Sequence, residues 1–286
     1  MAAAKLDGAA LAAKVRAEVA ADVAELGEIG LATVLVGEDP ASQIYIRLKH
    51  EAAEEAGIRA VDRRLPEETT EEELLGVVEE LNADDSIDGV LVQTPLPAQI
   101  EEARVMRSLD PAKDVDGLHP LNAGQLFFGH PTMVPATPLG IMRLLEEHGV
   151  PVSGARAVVV GRSLIVGRPV AMLLLHENAT VTLCHSRTRD LARETLEADI
   201  LVVAVGQAAV VTPDMVKTAA AVVDVGMNRT EAGLVGDVDP GAAERAAFIT
   251  PVPGGVGPMT IAMLLSNTVK AARYRRNLLA FPGLSV

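Results

Sequence analysis

The sequence predicts an α/β protein of two domains with parallel sheets, and three observations lead to this prediction. Short apolar runs rich in Val, Ile and Leu alternate with amphipathic stretches, as strands alternate with helices in parallel sheets. A stretch rich in Pro, Gly, Asp and Asn, 110–138, interrupts the alternation and is interpreted as a hinge between two α/β units. The length of 286 residues allows one large domain or two ordinary ones.

Seven apolar runs are predicted to form strands, because each is short and is separated from the next by sequence of a different character. They cover residues 31–36, 58–61, 89–92, 157–160, 180–183, 200–204 and 221–225. Amphipathic segments between these runs predict helices, for example over 70–81 and 191–197. The succession of strands and helices therefore predicts an α/β unit on each side of the hinge.

The helix expected after the strand 31–36 has clear signals at both ends. Asp39 suits the N-cap, and Pro40 suits the first helical position, where a backbone N–H has no intrahelical partner. The helix is expected to run to about Ala56 and to stop at Gly57, since glycine readily adopts the left-handed conformation that follows many helices.

Tyr45 and Lys49 lie four residues apart in this helix and form the first candidate catalytic pair. Their Cβ atoms are expected about 5–6 Å apart on one face, beside an apolar stripe of Ile44, Leu48 and Ala52. A lysine beside apolar surface can have a lowered pKa and exchange protons near neutral pH, and the phenol can orient it. The alternative is a solvated helix edge on which both residues are ordinary.

Two further helices are expected in the second half of the chain. Thr137 reads as an N-cap followed by Pro138, opening a helix through His148. A Gly/Pro loop, 251–258, is expected to precede an apolar helix, 259–272, that returns to pack on the first domain. The residues from 275 to the end of the sequence are expected to form a loosely ordered tail.

Composition and charge exclude several classes of partner. The formal charge is −14 and aromatic residues make up 2%, so we expect no nucleic-acid surface that tracks phosphates and stacks bases. No apolar run approaches the roughly 20 residues of a membrane span, and residues 1–7 lack the apolar region of a signal peptide. The one cysteine, Cys184, fits a reducing cytoplasm and has no partners with zinc spacing, so no metal site is expected.

The run 157–163 predicts a strand followed by a glycine turn and the start of a helix. Backbone N–H groups and the positive end of the helix dipole would then face a phosphate group near Gly161, Arg162 and Ser163. A strict GxGxxG spacing is absent, so a simple turn between strand and helix remains the alternative.

The end of the next predicted strand favours NADP over NAD. Folds that bind NAD place an acidic residue there for the ribose hydroxyls, whereas this chain has no acid before Asp190. Ser186 and Arg187 offer a hydroxyl and a guanidinium instead, which together with Arg162 suit a 2′-phosphate. The alternative is that Ser186 and Arg187 only solvate a loop.

Two loops of the first unit carry polar side chains. Gln93 comes directly after a strand, at the carboxyl end where parallel sheets bind ligands. Asp114 and Asp116 lie in the hinge, and a metal site built on them has no further ligands nearby in sequence. Each loop alone is also compatible with ordinary turn chemistry, in which Asp and Pro are common.

Taken together, the motifs resemble those of one family. They are YIRLK (45–49), VQTPLP (92–97), KDVDGLHPLNAG (113–124), VVVGRSLIVGRP (158–169), DVGMNR (224–229), GDVD (236–239) and PVPGGVGPMT (251–260). In this order they resemble the bifunctional methylenetetrahydrofolate dehydrogenase/methenyltetrahydrofolate cyclohydrolase family over about 31–268. The motifs are specific jointly, although none is specific alone.

The resemblance implies a fold and an activity. Residues 1–120, joined by 259–286, would form a catalytic, folate-binding domain, and 121–258 a Rossmann-like NADP domain, with a cleft between the two. The implied enzyme works in one-carbon metabolism and purine biosynthesis as a cytoplasmic homodimer. It oxidises methylenetetrahydrofolate with NADP and hydrolyses the methenyl product, so the implied partner is a folate, with no nucleic acid and no membrane.

For the folate side, the resemblance implies a set of four residues and a loop. Lys49 would transfer protons, Tyr45 would pack on the folate ring and orient the lysine, and Gln93 would hydrogen-bond Lys49. Asp116 would hold the polar edge of the pterin. The loop of Pro253, Gly254 and Gly255 would close over the substrate.

For the cofactor side, the resemblance assigns contacts with the nucleotide phosphates and with the adenine or ribose end. The implied residues are Gly161, Arg162, Ser163, Ser186, Arg187 and Met227.

Three positions depart from the usual motifs of the family. Ala136 stands where cysteine is frequent, Thr94 where leucine is common, and Leu164 where a polar residue is frequent. The first two are expected to alter the relative rates of the two activities, and Leu164 the affinity for the cofactor.

Three other functions share part of this pattern. Short-chain dehydrogenases also use YxxxK, but in them the nucleotide turn precedes it, whereas here the order is reversed. An oxidoreductase like shikimate dehydrogenase shares the layout but has no reason to contain VQTPLP with DVDG. A folate- or nucleotide-binding protein without catalysis would have no use for the Tyr45–Lys49 pair.

Overall fold

The computed structural model describes residues 3–231 and 233–282, which form two compact units. The three-stranded unit contains the described residues of Lys14–Ala136 and Ile261–Val286. The six-stranded unit contains those of Met1–Ala13 and Thr137–Thr260. Each unit is named here after its main sheet.

The helices and strands follow one another in the α/β alternation that the sequence predicts. The helices of the described residues are α1 (Gly8–Leu26), α2 (Pro40–Glu55), α3 (Glu71–Ala83), α4 (Glu102–Ser108), α5 (Pro120–Phe127), α6 (Ala136–Glu147), α7 (Gly167–His176), α8 (Leu191–Thr195) and α9 (Val256–Arg275), with short 3-10 helices at Pro213–Met215 and Pro240–Glu244. The strands are β1 (Ala4–Lys5), β2 (Gly30–Val36), β3 (Arg59–Leu65), β4 (Gly89–Val92), β5 (Arg156–Val160), β6 (Thr180–Cys184), β7 (Ile200–Val203), β8 (Ala221–Asp224), β9 (Asn228–Thr230), β10 (Gly233–Val235) and β11 (Phe248–Ile249). Among the described residues, no helix combines the length and apolar character needed to cross a membrane.

The sheet of the three-stranded unit is parallel, in the order β3-β2-β4. The central strand β2 and the neighbouring β4 are buried along their whole length, which explains their uninterrupted apolar sequence. Side chains of both strands pack with α3 and α4 in one hydrophobic core. This core fixes the end of β4, which is followed directly by Gln93.

The main sheet of the six-stranded unit has the order β1-β11-β8-β7-β5-β6, and every pairing in it is parallel. From β5 the chain moves outward to β6 and then returns to the other side of β5, where it forms β7. The direction of winding therefore reverses between β5 and β7. In open α/β sheets, ligands bind at the carboxyl ends of strands where this reversal occurs. A small antiparallel hairpin of β9 and β10 lies outside the main sheet.

The predicted fold class, two α/β domains with parallel sheets, is confirmed. Each of the seven predicted strands corresponds to an observed strand, with ends that differ by one or two residues in most cases. The observed strand β3, Arg59–Leu65, is longer than the strand predicted over 58–61, because it continues through charged residues at a sheet edge. The 110–138 stretch, interpreted as a hinge, contains the helix α5.

Two predicted helix starts are wrong. Thr137 is not an N-cap, because α6 already begins at Ala136; Pro138 is tolerated in the first turn, where its missing N–H has no intrahelical partner. The Thr137 hydroxyl is instead hydrogen-bonded to that of Thr260 at 2.8 Å. The last helix, α9, begins at Val256 within the predicted Gly/Pro loop, again with a proline in its first turn.

The expected apolar stripe of α2 is wrong at two of its three residues, whereas the third, Ala52, is buried. Ile44 and Leu48 are exposed, by 45% and 39%, whereas Ile46 and Ala53 are fully buried. Hydrophobicity alone does not identify the buried face of α2, because the helix has apolar residues on both sides. The predicted cap is confirmed: the Asp39 side chain accepts the N–H of Ser42.

The described part of the predicted tail is anchored rather than loose. Arg275 donates from Nη1 to the Ile87 carbonyl at 2.8 Å and to the Asp88 carboxylate at 3.0 Å. Arg276 donates to the Glu28 carbonyl at 2.6 Å. The expectation for 283–286 lies outside the described residues.

Candidate active site

Lys49 lies on the buried face of α2. Ile46 and Ala53, about one turn before and after it, are fully buried, so the half-buried lysine follows the inner side of the helix. Burial lowers the pKa of Lys49 from its ordinary value, while the negative charge of Asp116 acts in the opposite direction. The neutral amine therefore forms at a lower pH than on an exposed lysine.

Gln93 directly follows β4, and its side chain is hydrogen-bonded to Lys49. Lys49 Nζ donates to Gln93 Oε1 at 3.1 Å. Gln93 Nε2 donates to the carbonyl oxygen of Thr94 at 2.8 Å, so the amide is held with its oxygen toward the amine. An acceptor fixed in this way orients Lys49 without adding a second charge.

Asp116 lies in a turn directly after an extension of the sheet. Asp114 forms a parallel bridge with Val90 of β4, and the Val90 N–H donates to the Lys113 carbonyl. Residues 115 and 116 then turn away from the sheet, and the Gly117 N–H donates to the Asp114 carbonyl at 3.1 Å. Burial raises the pKa of Asp116, and the charge of Lys49 lowers it. The structure thus brings Lys49, Gln93 and Asp116 together.

The backbone around Asp116 is closely fitted. Gly117 has a φ of +65°, and a Cβ atom at this position would lie 2.7 Å from the carbonyl carbon of Val134. The side chain of Asn267 in α9 donates to the carbonyl oxygens of Val115 and Val134, both at 2.8 Å. Sequence reasoning missed Asn267, and no motif distinguishes it from any other polar residue of a helix.

Lys113 and Asp114 have structural roles in the same loop. The Lys113 amine is buried and donates to the carbonyls of Leu81, Asn82 and Asp84 at 2.7–2.9 Å, which closes the end of α3.

Asp114 is fully buried, and its Oδ2 accepts the His119 N–H and the Asn122 side-chain N–H, each at 2.8 Å. Burial raises the pKa of Asp114 to about 6. Lys113 and Asp114 therefore hold the loop in place, and Asp116 interacts with Lys49.

Tyr45 lies one turn before Lys49 on α2, and 42% of its surface is exposed. Ile44 and Leu48 are exposed beside it, so this side of α2 offers an open apolar surface. A flat aromatic ligand could pack there within reach of the lysine.

In the six-stranded unit, the turn between β5 and α7 allows a close approach of the backbone. Gly161 has a φ of +124°, and a Cβ atom would lie 2.1 Å from the carbonyl oxygen of Ala204. Ser163 Oγ accepts the N–H groups of Val166 and Gly167 at 3.1 and 3.3 Å, so its own hydrogen remains for a ligand. This turn offers a hydroxyl donor at the start of a helix, as expected for a phosphate site.

The other candidate cofactor residues lie on exposed loops of the same unit. Ser186 and Arg187 are exposed in a turn after β6, where the Arg187 N–H donates to the His185 ring and the His185 N–H to the Thr188 hydroxyl. Arg162 is also exposed.

Met227 is 46% exposed, and its sulfur lies 3.4 Å from the position of a Cβ atom on Gly257. In the loop before α9, Pro253 is exposed and Gly254 has a φ of +105°. The Gly254 carbonyl accepts the N–H of Ala9 at 2.9 Å, and a Cβ atom on Gly255 would lie 2.6 Å from the Pro251 carbonyl oxygen. The path of this loop therefore depends on its two glycines.

Sequence reasoning missed the loop 205–207 and its support. The N–H groups of Val205, Gly206 and Gln207 all donate to the carboxylate of the buried Asp237. One sequence signal could have identified this loop. It directly follows the predicted strand 200–204, and in a parallel sheet the loops at the carboxyl ends of strands bind ligands. Within the described ranges, no group of three or more His, Cys, Asp or Glu residues is placed to hold a metal ion.

Two family models match the chain in succession. The tetrahydrofolate dehydrogenase/cyclohydrolase catalytic domain matches residues 6–116, and the NAD(P)-binding domain of the same family matches residues 135–276. Together these matches cover most of the chain.

The similarity extends over full-length relatives. The bifunctional protein FolD of Sorangium cellulosum is 58% identical over 283 residues, which cover 96% of this chain and 99% of that protein. The crystal structure of the bifunctional FolD dehydrogenase/cyclohydrolase from Campylobacter jejuni superposes with a TM-score of 0.94 at 48% identity, covering 96% of this chain and all of that one. The Trypanosoma brucei enzyme, solved with NADP and an inhibitor, has a TM-score of 0.92 at 41% identity and covers 98% of this chain and all of its own. The chain belongs to the tetrahydrofolate dehydrogenase/cyclohydrolase family.

Proposed function

We propose that this protein oxidises 5,10-methylenetetrahydrofolate to 5,10-methenyltetrahydrofolate with NADP and hydrolyses the product to 10-formyltetrahydrofolate. The observation that carries the proposal is the hydrogen bond from Lys49 to Gln93 beside Asp116, in a chain of this family. A half-buried amine with a lowered pKa suits a reaction that needs one group to accept and return a proton.

In the hydrolysis, Lys49 exchanges the proton. Water adds to the cationic methenyl carbon, and the neutral amine accepts the proton that the water loses. The carbon–nitrogen bond to N5 then breaks as the ammonium returns a proton to the departing nitrogen. The hydroxyl group on the same carbon loses its remaining proton to water and becomes the carbonyl of the formyl group on N10. The net reaction consumes one water and releases one proton. Gln93 holds the amine in position, because its oxygen accepts a hydrogen bond from either form of the lysine.

Tyr45 and Asp116 are proposed to bind the folate. The exposed ring of Tyr45 offers a surface on which the aromatic part of the substrate can stack. The Asp116 carboxylate can accept hydrogen bonds from the N–H groups on the polar edge of the pterin. The contacts of Pro253, Gly254 and Gly255 with the substrate stay predictions.

The turn after β5 fits the phosphates of a dinucleotide. Gly161 brings the backbone close, a Cβ atom there would collide with Ala204, and the Ser163 hydrogen is free to donate. Ser186 and Arg187 would hold the 2′-phosphate that distinguishes NADP, with Arg162 nearby in sequence and Met227 toward the adenine or ribose end. When bound, NADP supplies the acceptor for the hydride from the methylene carbon.

The two units are proposed to divide these tasks. The three-stranded unit would bind the folate and contain the proton-transfer residues, and the six-stranded unit would bind NADP. We further propose that the chain works as a cytoplasmic homodimer that supplies one-carbon groups for purine biosynthesis. Light scattering is expected to give twice the mass of one chain; the mass of a single chain at working concentration would contradict the dimer.

The proposal is tested by the substitution Lys49→Met, which keeps a long side chain but removes the amine. Hydrolysis of methenyltetrahydrofolate is expected to fall by roughly 10²- to 10⁴-fold, the usual contribution of general acid–base catalysis. Hydride transfer should be affected less, because it does not need this proton. The measurement is the loss of methenyl absorbance at saturating substrate.

Arg47→Met is the matched control, since Arg47 is an exposed cation on the same helix, paired at 3.7 Å with Glu51. Its hydrolysis rate is expected to equal that of the wild type. Wild-type hydrolysis in Lys49→Met would remove Lys49 from the catalytic role.

A further inference from the structure

The carboxylate of Asp237 is fully buried and accepts four N–H groups. Oδ2 accepts those of Val205 and Gly206 at 2.6 and 2.9 Å. Oδ1 accepts the backbone N–H of Gln207 and the side-chain N–H of Asn228, both at 2.9 Å. Three consecutive backbone amides, 205–207, are thus turned toward one carboxylate inside the protein.

A second buried carboxylate completes the arrangement. Asp224 accepts the N–H groups of Asp237 at 2.8 Å and of Val238 at 3.0 Å. Two glycines leave room for the pair: a Cβ atom on Gly236 would lie 1.7 Å from Asp224 Oδ2, and one on Gly226 would lie 2.2 Å from Asp237 Oδ1. Glycine is therefore required at both positions by the carboxylates.

The loop that Asp237 holds lies at the predicted ligand-binding edge of the sheet. It follows β7, and β7 is the neighbour of β5 on the side where the winding reverses. Ala204, the residue directly before the loop, lies against Gly161 in the turn between β5 and α7. Residues 205–207 are exposed, although their N–H groups point inward.

We propose that Asp237 is a positioning residue for the cofactor, which shapes the loop 205–207 into one wall of the NADP site. This inference rests on the proposed NADP-dependent function. Because the loop amides are used by Asp237, the loop has only carbonyl oxygens and side chains to offer a ligand. Such a wall suits the nicotinamide ring, whose carboxamide N–H groups can donate to carbonyl oxygens, and it leaves the phosphates to the turn at Gly161.

The substitution Asp237→Asn tests the proposal with almost no change in volume. Both carboxylate oxygens accept N–H groups, so an amide must direct its own N–H₂ at one set of donors and release part of the loop. The dissociation constant for NADP, measured by titration without folate, is expected to rise at least tenfold. Hydrolysis of methenyltetrahydrofolate is expected to keep its wild-type rate, because the proposed proton-transfer residues Lys49, Gln93 and Asp116 belong to the three-stranded unit.

Asp239→Asn is the matched control, two residues further along. The Asp239 side chain caps a short 3-10 helix, Pro240–Glu244, by accepting the N–H of Gly241 at 2.8 Å. NADP affinity in this variant should equal that of the wild type. Asp237→Asn binding NADP as tightly as the wild type would overturn the proposal.

Asn228→Ala keeps the proposal testable if Asp237→Asn does not fold. It removes one of the four donors and leaves the backbone amides in place, so NADP affinity is expected to fall severalfold with hydrolysis unchanged. Equal losses of hydrolysis and NADP binding in this variant would indicate a merely structural role and overturn the inference. If the wild type binds NADP but reduces none of it with methylenetetrahydrofolate, the proposed function fails, whereas the role of Asp237 in NADP binding is still decided by the titration.

Discussion

Lys49 and Asp116 are both ionisable groups in buried surroundings, which disfavour their charged forms. Burial lowers the pKa of the amine and raises that of the carboxyl, and each group partly offsets the shift of the other. The neutral partner Gln93 orients the lysine without adding to this balance. At the scale of single residues, the proposed proton transfer therefore depends on how strongly Asp116 keeps Lys49 protonated.

Asp116→Asn is expected to lower the pKa of Lys49 further, because it removes the nearby negative charge that raises it. An NMR titration of the Lys49 side chain in the free enzyme measures this directly and is independent of any loss in folate binding. Glu51→Gln is the control, since Glu51 is an exposed acid on the same helix. A Lys49 pKa that stays unchanged or rises in Asp116→Asn would contradict the described pairing.

Asp114→Asn tests the cost of burying a second carboxyl. The folded-state pKa of Asp114 is about 6, above its ordinary value, so between about pH 4 and 6 the folded state binds a proton that the unfolded state does not. The contribution of Asp114 to stability therefore grows as the pH falls through 6 and is absent well above it.

From pH 8 to pH 5, the wild type should gain about 1.4 kcal/mol relative to Asp114→Asn, since one pH unit below the pKa is worth that amount. Urea unfolding of both proteins at the two pH values measures the difference. The same difference at pH 5 and pH 8 would show that Asp114 does not titrate in this range.

The sequence was most informative for single residues that belong to a motif. Tyr45 and Lys49 follow from helical spacing, and Gln93 follows from its place at a strand end. The structural work of Lys113 was not predicted, because its three acceptors are backbone carbonyls about 30 residues earlier in the chain. Contacts of this kind leave no pattern in the residues themselves.

At the scale of elements, local signals predicted the strands well and the helix faces less well. The capping pattern of Asp39 and Pro40 set the start of α2 correctly. Its buried face was misplaced, because Ile44 and Leu48 are as apolar as Ile46 although they face outward. Only the packing of α2 on the sheet distinguishes the two sides of the helix. The inward position of Lys49 depends on the same packing.

The turn from β5 into α7 gives a prediction at this scale. Gly161→Ala is expected to weaken NADP binding at least tenfold, because the new Cβ atom would lie 2.1 Å from the Ala204 carbonyl oxygen and must displace one of the two loops. Gly154→Ala is the matched control: Gly154 also has a positive φ, +80°, but nothing lies within 4 Å of its Cβ position.

The control should lose only the roughly 1–2 kcal/mol of stability that a left-handed alanine costs, with NADP affinity unchanged. Titration of NADP into both variants compares them. Equal affinities for NADP in the two variants would show that the crowding at Gly161 does not matter for binding.

At the scale of the whole molecule, the two-domain α/β architecture followed from the alternation of strands and helices. The order of the strands did not follow, because it depends on contacts between distant parts of the chain. The strand β1 near the amino terminus pairs with β11, more than 240 residues later. Helix α1 was missed, since its alanine-rich sequence gives little contrast between a buried and an exposed face.

The overall charge of −14 opposes the binding of anionic ligands. A dinucleotide must therefore be held by local groups, such as the Ser163 hydroxyl in the turn before α7 and the exposed Arg162 and Arg187. Each of the two proposed sites is thus supported by the sheet of its own unit.

The most direct test of the central claim is to mix the purified protein with methylenetetrahydrofolate and either NADP or NAD, and to follow the reduced cofactor and the methenyl absorbance separately. We expect reduction with NADP in preference to NAD, with little lasting methenyl signal because the cyclohydrolase removes it. Reduction with accumulating methenyl product would contradict the hydrolytic half of the function. No reduction with either cofactor would contradict the assignment as a dehydrogenase.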